Sequence, residues 1–390
     1  MRTTRLLASA VALATTVTAV AVAVAACGGS GSGQASNVIT VSSNACGGAW
    51  RLPGPGWHTF QISNQSTGGG EIDLIDPVNG AVYDEIENIG PGTTTPMSLN
   101  VGSGRYAFLC LFEDFSPLTG PTVTVPGHAT GTQAILPVTY NDVIPLAKEY
   151  QSYVEAGLTA LASETGTLAA DVRERDLVAA RRDWLAAHLR YETLGAAYDA
   201  FGSFDDEIDG RADSAGVASP DWAGFYRLEY GLWHGQSAAD LSPVAGRLNI
   251  DVHALLASWP AQQIPLIDVG LRTHEILENA LEFQLTGHDD YGSGSTLATT
   301  LANIAGTRVL LGLLRPLLAP RYPGLPAVYT WLDRLQTLLE KEHLPNGSWV
   351  PVSALPAATH AAIDAACDQA VTELAPIASI AEPRNSANGL

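Results

Sequence analysis

Three pairs of side chains able to hold a metal ion recur at helical spacing in the second half of this 390-residue chain: His188 with Glu192, Tyr226 with Glu229, and His274 with Glu278. Residues three or four apart on a helix face the same way, about one turn separated, so each pair can grip one ion without straining the backbone. Tyr226 and Glu229 combine a phenol oxygen with a carboxylate, a hard pair that suits ferric iron better than zinc or cuprous copper. The same two residues would also serve as a packing aromatic and an acid answered by an arginine. His188 brings an imidazole into an otherwise apolar, arginine-bearing stretch, where a lone His can also simply pack or cap. The run His274-Glu275-Ile276-Leu277-Glu278 stops one step short of a zinc-protease signature, which needs a second His where Glu278 stands. Its bland reading is exposed helix charge. A further feature is the acidic run Asp205, Asp206, Glu207, Asp209 and Asp213. Carboxylates so crowded repel one another unless a cation or Arg211 neutralises them, or solvent bathes the loop.

Other chemistries find no matching residues. The chain has no G-x-S-x-G elbow, no S-x-x-K, no convincing Cys-His arrangement and no glycine-rich phosphate loop after a strand. Asp and Glu outnumber Lys and Arg by 40 to 20, for a net charge of -20. Such a surface repels nucleic acid and concentrates cations, although solubility alone also accounts for acidity. Of the four cysteines, Cys46 and Cys110 can form one disulfide in an oxidising compartment, and Cys367 stands alone in helical sequence as a small buried hydrophobe. A bridge closing a loop of about 64 residues contributes about 4 kcal/mol in the chain-entropy picture. A blue-copper centre would need two His, a Cys and an axial Met, but Cys110 leads into Leu111-Phe112-Glu113-Asp114 with no His.

These residues need elements to position them, and the chain changes character twice. Arg2 and Arg5 precede an uncharged apolar stretch from Leu6 to Ala26 that ends in Val24-Ala25-Ala26-Cys27. This is the layout of a lipoprotein signal at 1–26, with Cys27 the lipidated first residue of the mature chain and 27–36 a Gly/Ser tether. A membrane-spanning anchor is the alternative, since roughly twenty apolar residues can cross a bilayer. The remainder is long enough for two domains. From 37 to 127, short alternating segments (Val38 to Ser42, Trp57 to Ser63, Ile72 to Ile75, Val82 to Ile86, Thr94 to Val101, Arg105 to Phe112, Pro121 to Val125) separated by Gly, Pro and Asn clusters predict a β-sandwich. From 138 to 380 the apolar period becomes helical, which predicts an all-α bundle, two four-helix units packed together. Asn141-Asp142 is the expected N-cap of its first helix and Asp221 that of the helix carrying Tyr226.

Several ordered motifs resemble one known family across nearly the whole mature chain. Glu85-Ile86-Glu87-Asn88-Ile89-Gly90-Pro91-Gly92 and Gly104-Arg105-Tyr106-Ala107-Phe108-Leu109-Cys110 resemble the cupredoxin-like domain of EfeO-type iron-uptake proteins. Arg190-Tyr191-Glu192, Ile208-Asp209-Gly210-Arg211, Gly224-Phe225-Tyr226-Arg227-Leu228-Glu229 and Arg272-Thr273-His274-Glu275-Ile276-Leu277-Glu278 resemble that family's imelysin-like helical domain, in the same order. Two departures stand out. The resemblance implies a His three residues before the Glu of the G-F-H-R-x-E stretch, where Tyr226 stands here, and a second acid in the Y-E-x-x-E stretch, where Gly195 stands.

The resemblance implies an exported, lipid-anchored component of an iron uptake system that captures an ion outside the membrane and passes it to a membrane permease, with a haem peroxidase as a further partner. The expected ligands are Glu192, Asp209, Tyr226, Glu229, His274 and Glu278, joined by His188. The expected cargo is Fe(III) or Fe(II), with copper or zinc as alternatives. In the β domain, copper or iron held by Cys46, Cys110, Glu71 and Glu113 competes with the disulfide. Two other functions stay open: a metallopeptidase-like hydrolase, which would need a metal-bound water and a nearby base, and an interaction lipoprotein that keeps the fold without a metal.

Overall fold

The computed structural model describes residues 38–112, 114–212 and 216–384. The expected signal peptide, Cys27 and the tether lie outside the described residues, as do Glu113 and Asp213. What is described is a β region followed by an all-helical one.

The alternating segments form strands β1 (Val38–Ser42), β2 (Ala45–Cys46), β3 (Gly56–Asn64), β4 (Gly70–Ile75), β5 (Val82–Ile89), β6 (Thr94–Val101), β7 (Gly104–Phe112), β8 (Leu118–Thr119) and β9 (Val123–Val125). One sheet has the order β2-β1-β3-β6 and the other β5-β4-β7-β8, with β9 also on β7. Side chains of opposite parity go to opposite faces of a strand. Thus Phe60 and Ile62 of β3, Ile72 and Leu74 of β4 and Phe108 of β7 fill one core. Trp50 lies edge-on to Phe60 and Phe108 at 6.0 and 4.8 Å between ring centres. Cys46 and Cys110 are bonded, tying β2 of the first sheet to β7 of the second. Both sulfurs are thereby used in the bridge, so the reading in which the two cysteines hold copper or iron gives way to the disulfide.

A short strand, β10 (Val138–Thr139), pairs in parallel with β11 (Pro383–Arg384), so the entry and exit of the helical region lie side by side. The helices are α1 (Tyr140–Glu174), α2 (Leu177–Glu192), α3 (Tyr198–Phe201), α4 (Ser203–Asp209), α5 (Gly224–Trp233), α6 (Ala238–Ser258), α7 (Asp268–Asn279), α8 (Thr296–Leu318), α9 (Leu325–Glu340), α10 (Ala357–Leu374) and α11 (Pro376–Ala381). Helices α1, α2, α5 and α6 pack as one group and α7 to α10 as another, with α2 against α8 joining them. A continuous apolar core runs through both. Helix α8 is long and apolar enough to cross a membrane, yet most of its apolar face is buried among its neighbours.

Two helix starts differ from expectation. Thr139, not Asn141, caps α1, and Asp142 closes the capping box by accepting hydrogen bonds from the Thr139 N–H and hydroxyl at 2.8 Å each. Helix α5 begins at Gly224 after Ala223, leaving Asp221 in the preceding turn. The reason is steric: Gly224 has φ +82, and a Cβ there would sit 2.2 Å from the Ile208 carbonyl oxygen. Only glycine lets the start of α5 approach the end of α4 so closely.

Candidate metal centre

Helix α2 ends at Glu192 and α4 ends at Asp209, and His188 lies one turn before the end of α2. Their side chains converge. The Nε2 atom of His188 is 3.1 Å from Asp209 Oδ1 and 3.2 Å from Glu192 Oε1. His188 and Glu192 are only 2% and 3% exposed, so this is a buried cluster and not surface charge. One nitrogen and two carboxylate oxygens from these residues lie within 4.8 Å of one another, a grouping that fits a single metal ion. Its backbone setting adds to this. Helix C-termini carry partial negative charge from their free carbonyls, so two carboxylates at two helix ends favour a cation between them.

Aromatic rings hold the imidazole in place. It stacks on Trp184 at 5.0 Å and lies 5.2 Å from Phe225 and 5.3 Å from Tyr226, centre to centre. Its Nδ1 is buried without a hydrogen-bond partner. Burial alone would lower the His188 pKa, but the facing Asp209 and Glu192 carboxylates outweigh it and hold the ring's pKa well above the ordinary value. Burial pushes the Asp209 carboxyl up to about 7, with Glu192 and Asp205 adding to it and His188 opposing. Asn303 Nδ2 donates to the second Glu192 oxygen at 2.7 Å, and Tyr191 donates a short 2.5 Å bond to Asp205. A cavity of about 100 Å³ adjoins the cluster, with Glu192, Asp205, Asp209, Tyr198, Arg211 and Arg272 among its walls. Gly195 also lines it, contributing no side chain where the resemblance implies an acid.

The other residues singled out in the sequence are placed differently. Tyr226 is fully buried beside the cluster, but its hydroxyl donates to Asp289 at 3.1 Å. Asp289 also accepts two bonds from Arg211, at 2.7 and 2.8 Å, and one from Gln284 at 2.8 Å. Burial raises the Tyr226 phenol pKa far above its usual value, with Asp209 and Glu192 reinforcing it, so the group stays protonated in this setting. Glu229 Oε1 accepts the backbone N–H groups of Ser293 and Tyr291 at 2.9 and 3.2 Å, while Oε2 is buried and unpartnered. His274 is half-buried and Glu278 exposed, and neither lines the cavity. Asp206 is exposed, so the acidic run divides: Asp209 turns inward, Asp205 binds Tyr191, and Glu207 meets Arg247. Asp289, Asn303 and Gln284 carry no local motif and join the site only through the packing of distant segments.

Residues 146–378, more than half the chain, match the imelysin family (Peptidase_M75). The chain belongs to that family. Among curated relatives of this imelysin-family chain is the "Iron uptake system component EfeO" of Escherichia coli strain K12, 27% identical over 318 residues that span 79% of this chain and 82% of the relative. The proteins of the same name from Shigella flexneri and from Escherichia coli O157:H7 match at the same identity and coverage. The resemblance stated from the motifs is thus borne out for the family, and the β-plus-helical architecture agrees with it.

Proposed function

We propose that this imelysin-family protein is a metal-binding component of an iron uptake system, which captures an iron ion outside the cell membrane at His188, Glu192 and Asp209 and passes it to a membrane permease. The observation that carries the reading is the convergence of one imidazole nitrogen, the buried Glu192 carboxylate and the largely covered Asp209 carboxylate at the ends of α2 and α4. A hard carboxylate pair with one borderline nitrogen suits Fe(III) or Fe(II) over cuprous copper. The names of its relatives point to the same system. Three protein ligands leave coordination positions for water or a chelator, as capture and release require. The lipobox ending at Cys27 supports tethering to the outer face of the membrane, where an acidic surface draws cations in. A haem peroxidase acting on the ion's oxidation state fits the same scheme.

Calorimetric titration with Fe(III) supplied as its nitrilotriacetate complex, and with Fe(II) under argon, tests the proposal. The wild type should take up an ion that neither Asp209→Asn nor Glu192→Gln retains. Equal binding by wild type and both variants, each shown to be folded, would move the site elsewhere.

A further inference from the structure

The cavity beside that centre, about 100 Å³, has walls of two kinds. Glu192 and Asp209 bring the carboxylates of the centre itself. Other elements bring nitrogen-bearing side chains: Arg272 of α7, Gln284 of the π-helical turn that follows it (Ala280–Gln284) and Asn303 of α8. Single π turns inside helices are frequent at functional sites. One water needs roughly 10–15 Å³, so the space takes several waters or one small anion of about four or five heavy atoms.

Gln284 and Asn303 are each 4% exposed, and a carboxylate fixes the orientation of each amide. Gln284 Nε2 donates to Asp289 at 2.8 Å, and Asn303 Nδ2 donates to Glu192 at 2.7 Å. A carboxylate only accepts, so the amide nitrogens must face these acids and the amide oxygens must face elsewhere. Both oxygens, Gln284 Oε1 and Asn303 Oδ1, are buried with no donor. Arg272 has the opposite want. Its Nη groups meet Asp199 and Glu275, while its Nε–H is buried with no acceptor. Buried polar atoms of this kind call for partners, and one cavity here presents two acceptors and a cationic donor. Glu192, Asp205 and Asp209 keep anions out of it while it is metal-free, although Asp205 is held by the Tyr191 hydroxyl and its charge is opposed by Arg211. Fe(III) reverses the sign, because its three charges exceed those of the two ligand carboxylates and the excess lies beside Arg272.

We propose that this cavity takes, together with the iron ion, a small oxyanion that keeps an O–H at neutral pH, of the bicarbonate or hydrogenphosphate class. The inference rests on the centre at His188, Glu192 and Asp209. The anion's charged oxygens fill coordination positions that three protein ligands leave open and accept from Arg272 Nε, a charge-assisted bond. Its O–H donates to Gln284 Oε1 or Asn303 Oδ1. Sulfate and nitrate carry no proton at this pH and bring only lone pairs to these two oxygens, so the cavity rejects them. Ion and anion load as a unit, each raising the other's affinity by the same factor.

Equilibrium dialysis of the full chain against radiolabelled bicarbonate, phosphate or sulfate tests it, with the protein metal-free or loaded with Fe(III) and cleared of chelator by gel filtration. The iron-loaded wild type should retain about one bicarbonate or phosphate per ion and no sulfate, and the metal-free protein none of the three; whichever anion is retained names the source. Arg272→Gln, which loses the charge and the Nε–H, should keep its iron and bind the anion at least tenfold more weakly. Gln284→Met, which removes one unmet acceptor, should retain sulfate at least tenfold better than wild type. Iron held with no anion, sulfate retained by the wild type as well as phosphate, or undiminished anion binding in folded Arg272→Gln would each overturn the proposal. A wild type that takes up no iron would instead sink the reading at His188, and this one with it.

Discussion

Loading of the proposed centre should expel protons, and their number follows from the groups that face each other there. A metal ion needs the lone pair of His188 Nε2, the same atom that lies 3.1 and 3.2 Å from Asp209 and Glu192. With its pKa held well above the usual value, the metal-free imidazole is cationic at pH 7. It must therefore lose a full proton. Asp209, whose carboxyl burial pushes up to about 7, carries part of a proton there and gives it up too. Release at pH 7 thus lies between one and two protons per ion, and affinity rises by about tenfold or more for each pH unit between 6 and 7. Titration calorimetry in buffers of different ionisation enthalpy measures this directly, since the observed heat varies linearly with that enthalpy and the slope is the proton count. In His188→Gln the imidazole's proton drops out of the count, so the slope should be smaller than in the wild type. A heat independent of buffer in the wild type would refute the argument, because it would mean that no protonated group lies in the ion's path.

Three further outcomes follow from the same structure. Burial raises the Glu229 carboxyl from 4.5 to about 7, above its unfolded value, so the folded state keeps a proton that the unfolded chain loses between those limits. That contribution is fully present below pH 4.5 and is lost as pH rises towards 7, so the metal-free wild type should lose roughly 3 kcal/mol relative to Glu229→Gln over this window, read from urea unfolding at pH 4.5 and 8. Replacing Cys46 and Cys110 by alanine should lower the unfolding free energy of the β region by about 4 kcal/mol, measured by urea unfolding followed through Trp50. Gly224→Ala should destabilise the helical region by more than about 1 kcal/mol, since its φ of +82 and the Ile208 carbonyl both oppose a side chain; the thermal midpoint of the far-ultraviolet circular dichroism signal reads this out.

The change from strand to helix was legible because periods of two and of 3.6 residues differ over every segment of eight or more. Very short pieces such as β2, β8 and β10 were not, because two residues have no period and are fixed by tertiary pairing. Pairing of His188 with Glu192 could be read from their spacing. That the third partner is Asp209 was visible only as one acid in a run of acids, since nothing local says which of Asp205, Asp206, Glu207 and Asp209 turns inward. Helix α4 decides it by ending at Asp209 and presenting that side chain to α2. His274 and Glu278 have the same spacing as His188 and Glu192, yet one is half-buried and the other exposed. Spacing identifies a pair of side chains on one helix face, but only the packing of other helices decides whether that face meets a third ligand.

The phenol at position 226, where the resemblance implies an imidazole, leads to a rescue experiment. Tyr226 and His188 have ring centres 5.3 Å apart, so α2 and α5 approach one small volume from two sides, and an imidazole on either helix can serve it. In the proposed centre the nitrogen comes from α2. The hydroxyl of Tyr226 is held instead by Asp289, whose charge is answered by Arg211. His188→Gln should therefore weaken iron binding at least tenfold while leaving Glu192 and Asp209 in place. Adding Tyr226→His should restore most of that loss, because the new ring enters from α5 while Asp289, which loses the phenol hydroxyl, keeps its bonds from Arg211 and Gln284. Calorimetry with Fe(II) on the wild type, the single variant and the double variant compares the three. If the folded double variant bound no better than His188→Gln alone, the nitrogen would be fixed to α2, and the exchange of imidazole between the two helices would be excluded.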